Sequence, residues 1–284
     1  MTAEKSPFVV SADWLQQRLG APNLRIVDAS WYLPAQKRDA KAEYDAGHIP
    51  GAVFFDHEGL SDPASGLPHT LLSPVGFAGG VGALGLSETD TIVVYDGPGL
   101  FSAPRVWWML RTMGAETVYL LDGGFDAWKA EGRPVTAERT VIDIATFTPR
   151  FDETAVTSFE EMTRIVDDQS RQIADARSAG RFTGEEPEPR AGMRSGHMPG
   201  ARSLPAAAFA DQGRLKPLPA LKAMIEEAGI DLTKPVVTSC GSGITAAVLS
   251  LALQSIGHKN NSLYDGSWSE WGSRPETKVV TGKA

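Results

Sequence analysis

The chain contains itself twice, and this repeat constrains its fold more than any other feature. Residues 47–52 read GHIPGA and residues 196–201 read GHMPGA; IVDA at 26–29 returns as IADA at 173–176. Further on, VVYD at 93–96 aligns with VTSC at 237–240. DGG at 122–124 with Trp128 aligns with DGS at 265–267 with Trp271. The offset runs only from 143 (122 to 265) to 149 (47 to 196). Four blocks in one order at nearly one offset describe a duplicated domain, because the period is a domain's length and not that of a stacked solenoid repeat. Residues 133–153, with Pro134, Pro149 and several threonines, carry little helical pattern and read as an extended connection. The expected limits are a first domain at 1–139, a linker at 140–154 and a second domain at 155–284.

Each half reads as α/β. Residues 24–28 and 172–175 are short apolar runs ending at Asp28 and Asp175, and 91–95 and 235–239 are β-branched runs of the kind found in buried parallel strands. Helical patterns at 12–19, 105–113, 160–166, 220–228 and 246–256 separate them. Short strands alternating with helices imply two tandem domains, each a parallel sheet with helices on both faces. Ligands of such sheets bind at the carboxyl ends of the strands, and Cys240 directly follows one.

The chain has one cysteine, so an internal disulfide and a cysteine-rich zinc site are excluded. Residues 236–247 read VVTSCGSGITAA, a strand, a tight loop and a helix beginning near Thr245. Gly241 and Gly243 let successive N–H groups turn toward one point, and the helix start adds its positive end. Such a cradle holds an anion, and a thiolate or persulfide on Cys240 is the anion expected there. A lone cysteine is more often an inert core residue. The glycines, the strand before and the helix after reverse that reading here. A phosphatase loop would carry an arginine six positions on, where Ala246 stands, and the papain-type cysteine signature is absent.

With a net charge of −8 and no cluster of lysine and arginine, neither nucleic acid nor an anionic membrane surface is an expected partner. No stretch approaches the roughly 18 apolar residues of a membrane span. The N-terminal MTAEKSPFVV is too polar for a secretory signal, so a reducing compartment such as the cytoplasm is expected. No metal-ligand spacing, P-loop or dinucleotide fingerprint occurs, and no cofactor is expected.

The loop CGSGIT, the repeated GH(I/M)PGA and the DGG…W block together resemble the tandem rhodanese family over nearly the whole chain. Within it, CGSGIT is similar to the branch that uses 3-mercaptopyruvate; the thiosulfate branch typically places two cations in the loop, as in CRKG. The charge argument agrees, because thiosulfate is a dianion whereas mercaptopyruvate carries one carboxylate remote from its sulfur. The resemblance implies a sulfurtransferase that moves sulfur through a persulfide on Cys240 to a thiol or cyanide and releases pyruvate. The first half, with Asp96 at the cysteine position, is then non-catalytic.

Further roles follow from the resemblance residue by residue. Arg181 and Arg190, in GRFTGEEPEPR, match the arginines that hold the substrate's carboxylate and ketone; without that context they would read as solvated surface residues. His69 and Glu58 match a proton-relay pair from the first domain, although the family commonly has aspartate at the second position. Ser242 and Thr245 match loop hydroxyls, and Gly241, Gly243 and Ile244 complete the substrate wall. Simple turn and helix-cap chemistry also fits both hydroxyls. His48, His197, Asp28 and Asp175 occur in both halves and read as structural, and the paired Trp107 and Trp108 as core or interface. A thioredoxin-like acceptor is implied on the same grounds, and a monomer is expected because the tandem arrangement already supplies an internal interface. Thiosulfate:cyanide transfer, a non-enzymatic persulfide relay and a dead scaffold are the alternatives.

Overall fold

The computed structural model describes residues 4–283. The first half runs β1 (Val9–Val10), α1 (Ala12–Gln16), β2 (Leu24–Asp28), α2 (Ala40–Ala46), β3 (Ala52–Phe54), α3 (Pro74–Ala83), β4 (Thr91–Tyr95), α4 (Ala103–Thr112), β5 (Thr117–Leu121) and α5 (Gly124–Ala130). The second runs β6 (Val156–Thr157), α6 (Phe159–Asp168), β7 (Gln172–Asp175), α7 (Ala179–Thr183), β8 (Ala201–Ser203), a ribbon of β9 (Ala210–Asp211) and β10 (Arg214–Leu215), α8 (Leu218–Glu227), β11 (Val236–Ser239), α9 (Ala246–Ser255), β12 (Asn261–Tyr264) and α10 (Ser267–Trp271). The two large sheets are parallel, in the orders β1-β5-β4-β2-β3 and β6-β12-β11-β7-β8. The order is the same after duplication, so Asp96 after β4 and Cys240 after β11 occupy equivalent places at strand carboxyl ends.

Strand periodicity divides the core. Ile92 and Val94 of β4 face a cluster that both halves share, whereas Val93 and Tyr95 face a cluster private to the first half. In β11, Val236 enters the shared cluster and Val237 the private one of the second half. Helices α4 and α9 pack on each other within the shared core through residues such as Val106, Leu110, Val248 and Leu251. Their nearly uniform apolar character fits helices covered on all sides. Trp107 and Trp108 are buried in this same core. The two halves are therefore one packed body.

The connection between them is strapped to the first half. Residues 139–152 contain no helix or strand. Ala145 N donates to Gly82 O (3.0 Å), and Arg150 N and Asp152 N donate to Met113 O and Thr112 O (both 2.8 Å). Helix α3 has glycine at the crossing because a Cβ on Gly82 would lie 2.6 Å from Ala145 O. The two repeat histidines act alike: His48 Nδ1 bonds Tyr44 O and His197 Nδ1 bonds Phe182 O, both at 2.8 Å. Their backbones pair with Thr136 and Val280, so each turn clasps the segment that ends its half.

Candidate active site

Cys240 leaves β11 at the centre of its sheet and is 2% exposed. The loop's carbonyls are drawn to α10: Cys240 O accepts from Trp268 N (2.9 Å) and Gly241 O from Ser269 N (2.8 Å). The five backbone N–H groups from Gly241 to Thr245 have no acceptor among the described residues. Buried N–H groups are rarely left without a partner, so five in sequence beside a cysteine form a site for an anion. Gly243 sits at φ +80°, open only to glycine without strain. Thr245 occupies the cap position of α9, but its side chain makes no capping bond.

The first half shows what this cradle takes. Asp96, in the place of Cys240, turns its carboxylate into its own loop, where Oδ2 accepts from Phe101 N (2.8 Å), Ser102 N (2.7 Å) and Ala103 N (2.8 Å). The duplicated loop thus fills its own N–H donors with a carboxyl group, whose pKa burial raises against the pull of those hydrogen bonds, where the second half has a sulfur.

A cavity of about 770 Å³ opens over Cys240 between the halves. The second half contributes Cys240, Gly241, Ser242, Ile244, Thr245, Arg181 and Arg190 to its lining, and the first half contributes Trp31, Leu100 and Phe101. Gly243 does not line it. A Cβ there would instead lie 3.0 Å from Arg105 Nη1 and 3.1 Å from Asp265 O, and a Cβ on Gly241 would lie 3.0 Å from Arg181 Nη2. The loop has no cation of its own in sequence, yet the fold brings two guanidinium groups against its glycines.

The three arginines differ in their partners. Arg181 is held by Glu188, with Nη2–Oε2 at 2.5 Å and Nε–Oε1 at 3.2 Å. Arg105 is fully buried and donates from Nη2 to Asp265 Oδ1 and to His69 O, both at 2.6 Å. Arg190 has no carboxylate within ion-pair distance among the described residues. Burial is the main cause pushing its pKa below the ordinary arginine value, and the charge of Arg181 adds to it; Cys240, Glu58 and Glu188 act in the opposite direction.

His69 is 2% exposed and stands between Ser242 and Glu58, with Nδ1–Oγ and Nε2–Oε1 both 2.9 Å. Burial pushes its pKa below 6.5 against the pull of Glu58, so the ring is neutral at pH 7. Burial alone would raise Glu58, but hydrogen bonds from His69 and Trp31 and the pull of His69 hold it below 4.5. With the carboxylate at Nε2, the ring proton sits there, and Nδ1 accepts the Ser242 hydroxyl proton. Of the three, only Ser242 lines the cavity. His69 is held at φ +61°, uncommon for a residue with a side chain. Its carbonyl is fixed by Arg105, and the N–H of Leu71 by Asp265 Oδ2 (2.8 Å).

Besides the lining residues Trp31, Leu100 and Phe101, three charged residues escaped the sequence reading. Glu188 and Arg177 form a buried network with Asp175 and Arg181, and Arg105 reaches the loop from the other half. An arginine amid APRVWWML, a helix otherwise apolar over its first turns, was the available signal for Arg105. Glu188 stood inside a motif already singled out, with nothing local to mark its partner.

Comparison with known proteins gives the family. The model of the rhodanese-like domain matches residues 11–131 and again 158–274. The chain is 43% identical to the 3-mercaptopyruvate sulfurtransferase of Escherichia coli K12, over 96% of this chain and 97% of that protein. It is 42% identical to the thiosulfate sulfurtransferase of Bos taurus, over 97% of this chain and 96% of that one. The crystal structure of SseA from Escherichia coli, described as a 3-mercaptopyruvate sulfotransferase, superposes with a TM-score of 0.83 at 41% identity, covering 93% of this chain and 99% of that chain. With two copies of its domain accounting for most of the sequence, the chain belongs to the rhodanese family of sulfurtransferases.

Proposed function

We propose that the protein transfers sulfur from 3-mercaptopyruvate, through a persulfide on Cys240, to a thiol acceptor or cyanide. Relatives named for each donor are nearly equally similar, so overall identity does not choose between them. The observation that carries the choice is Arg190, a half-buried guanidinium in the cavity of Cys240 with no ion-paired carboxylate among the described residues. One free planar cation suits one carboxylate, which it binds by two parallel hydrogen bonds.

In this reading the Cys240 thiolate attacks the donor's sulfur. The S–S bond forms, the C–S bond breaks, and its electron pair leaves on carbon as the enolate of pyruvate. Arg190 holds the carboxylate, and Arg181 stabilises the charge growing on the ketone oxygen. Ser242 takes the donor's thiol proton and passes its own to His69, whose positive charge Glu58 offsets; the reverse path protonates the enolate carbon. The N–H groups of Gly241–Thr245 hold the outer sulfur as an anion, with Ile244 and Thr245 walling the cradle. A second thiol, such as that of a thioredoxin-like protein, then removes it.

We assign domain limits of 1–139 and 155–284 with a linker at 140–154, the first domain serving as a wall and as the source of His69 and Glu58. A monomer suits two halves that already share a core. No helix of the described residues is long and apolar enough to cross a membrane. A reducing compartment such as the cytoplasm suits a lone cysteine that must stay free. Thiosulfate is the second reading, favoured by the two guanidinium groups against Gly241 and Gly243. Steady-state transfer from each donor to one common acceptor separates the two: the proposal requires a large preference for mercaptopyruvate, and a preference for thiosulfate would reverse the assignment.

A further inference from the structure

The Glu188 side chain is 2% exposed and binds two guanidinium groups at once. Its Oε1 accepts from Arg177 Nη1 (2.7 Å) and Arg181 Nε (3.2 Å), and its Oε2 from Arg181 Nη2 (2.5 Å). Arg177, itself fully buried, is held in turn by Asp175 (2.6 Å). Two arginines, one aspartate and one glutamate alternate in this network, and their charges cancel. Arg105 is likewise balanced by Asp265. Arg190 forms no ion pair with either grouping among the described residues, and the charges of Glu188 and Glu58 reach it only at longer range. Glu58, the remaining acid nearby, is engaged by His69, and its side chain is 66% exposed, where solvent screens it.

We propose that Glu188 is a specificity-determining residue: by cancelling Arg181 it leaves the cavity one uncompensated cation, which favours a monoanionic sulfur donor over a dianionic one. The inference rests on Arg181 and Arg190 being the donor-binding groups. Its physics is simple. A unit change of charge in the wall acts twice on a dianion and once on a monoanion, and burial of the network limits screening by salt. The geometry also divides the arginines. Glu188 fills the Nε and Nη2 edge of Arg181, leaving that residue chiefly Nη1 for a ligand, while the fork of Arg190 makes no hydrogen bond among the described residues.

The test compares two small anions in the Cys240→Ser protein, which cannot turn over. Affinities for pyruvate, a monoanion, and thiosulfate, a dianion, are measured by calorimetry with Glu188 intact and with Glu188→Gln. Glutamine keeps the shape and removes one negative charge. The ratio of thiosulfate to pyruvate affinity should rise by at least about tenfold. An unchanged ratio in a folded Glu188→Gln protein overturns the proposal. Should that variant not fold, Arg181→Gln reads the same balance in the opposite direction: the ratio must fall, and a ratio that stays or rises overturns it equally. The donor preference of the unmodified enzyme is a separate measurement. An enzyme that prefers thiosulfate would refute the functional reading, and the effect of Glu188→Gln on the ratio would still decide the role of Glu188.

Discussion

Replacing Asp28 by asparagine should stabilise the protein above about pH 6 and change little below about pH 4. Asp28 is the repeat counterpart of Asp175, but the second half supplies Arg177 two positions on, where the first has Ser30. Asp28 is buried with no cation beside it; it accepts from Ser30 N (2.9 Å) and from Tyr95. Burial raises its pKa from 3.8 to about 6, the hydrogen bonds from Ser30 and Tyr95 oppose this, and the charge of Asp96 adds to it. That rise corresponds to ~3 kcal/mol between the two protonation states. Because the folded value exceeds the unfolded one, the folded state holds the proton more tightly. The stability this group contributes is present in full below about pH 4 and is lost as pH rises through about 6. Asparagine does not titrate and keeps an acceptor for Ser30 N. Urea unfolding of both proteins from pH 4 to pH 8 gives the test, since the titration of groups not coupled to Asp28 cancels in the difference. The variant should gain up to ~3 kcal/mol at pH 8, with the gain shrinking toward zero at pH 4. A difference that is constant across this range, or that grows toward low pH, would refute the reasoning.

Other consequences are as direct. Cys240→Ser should abolish sulfur transfer without lowering the melting temperature by more than a few degrees; retained turnover would remove the cysteine from the chemistry. Arg190→Met should raise KM for mercaptopyruvate by about tenfold or more, with little change in unfolding, because no other side chain depends on that guanidinium; an equal loss of folded protein would make it structural. His69→Gln should lower kcat more than it raises KM, whereas a pure KM effect would place His69 in binding. Asp96→Ala should cost about 2–4 kcal/mol in thermal or urea unfolding, because three buried N–H groups lose their acceptor; a neutral result would mean that water fills the loop freely.

Where local sequence dictates structure, the reading and the molecule coincide. The strands β2, β4 and β7 begin and end where the sequence pattern places them, because a parallel strand covered on both faces is built mainly of apolar residues. Helix α3 gave no such signal: PVGFAGGVGA has four glycines, unfavourable in a helix, and one of them, Gly82, is required by the interdomain strap that passes close there. The site divides in the same way. The anion cradle was legible because glycines, a strand and a helix start specify it within a dozen residues. Glu188, Arg177 and Arg105 were not, since their roles depend on partners that only packing brings together. The sequence also suggested a loop free of cations, and the fold places Arg105 and Arg181 against it. Under the proposed function, the donors are separated not by the loop's own composition but by which of the surrounding arginines lacks an ion-paired carboxylate.

The most direct test of the central claim is mass spectrometry of the reduced protein after a single exposure to 3-mercaptopyruvate without acceptor, with pyruvate measured in the same sample. The account predicts one added sulfur atom on the peptide that contains Cys240, one pyruvate released per protein, and loss of that sulfur when a thiol is added. An unmodified Cys240, or pyruvate released with no sulfur retained, would contradict it.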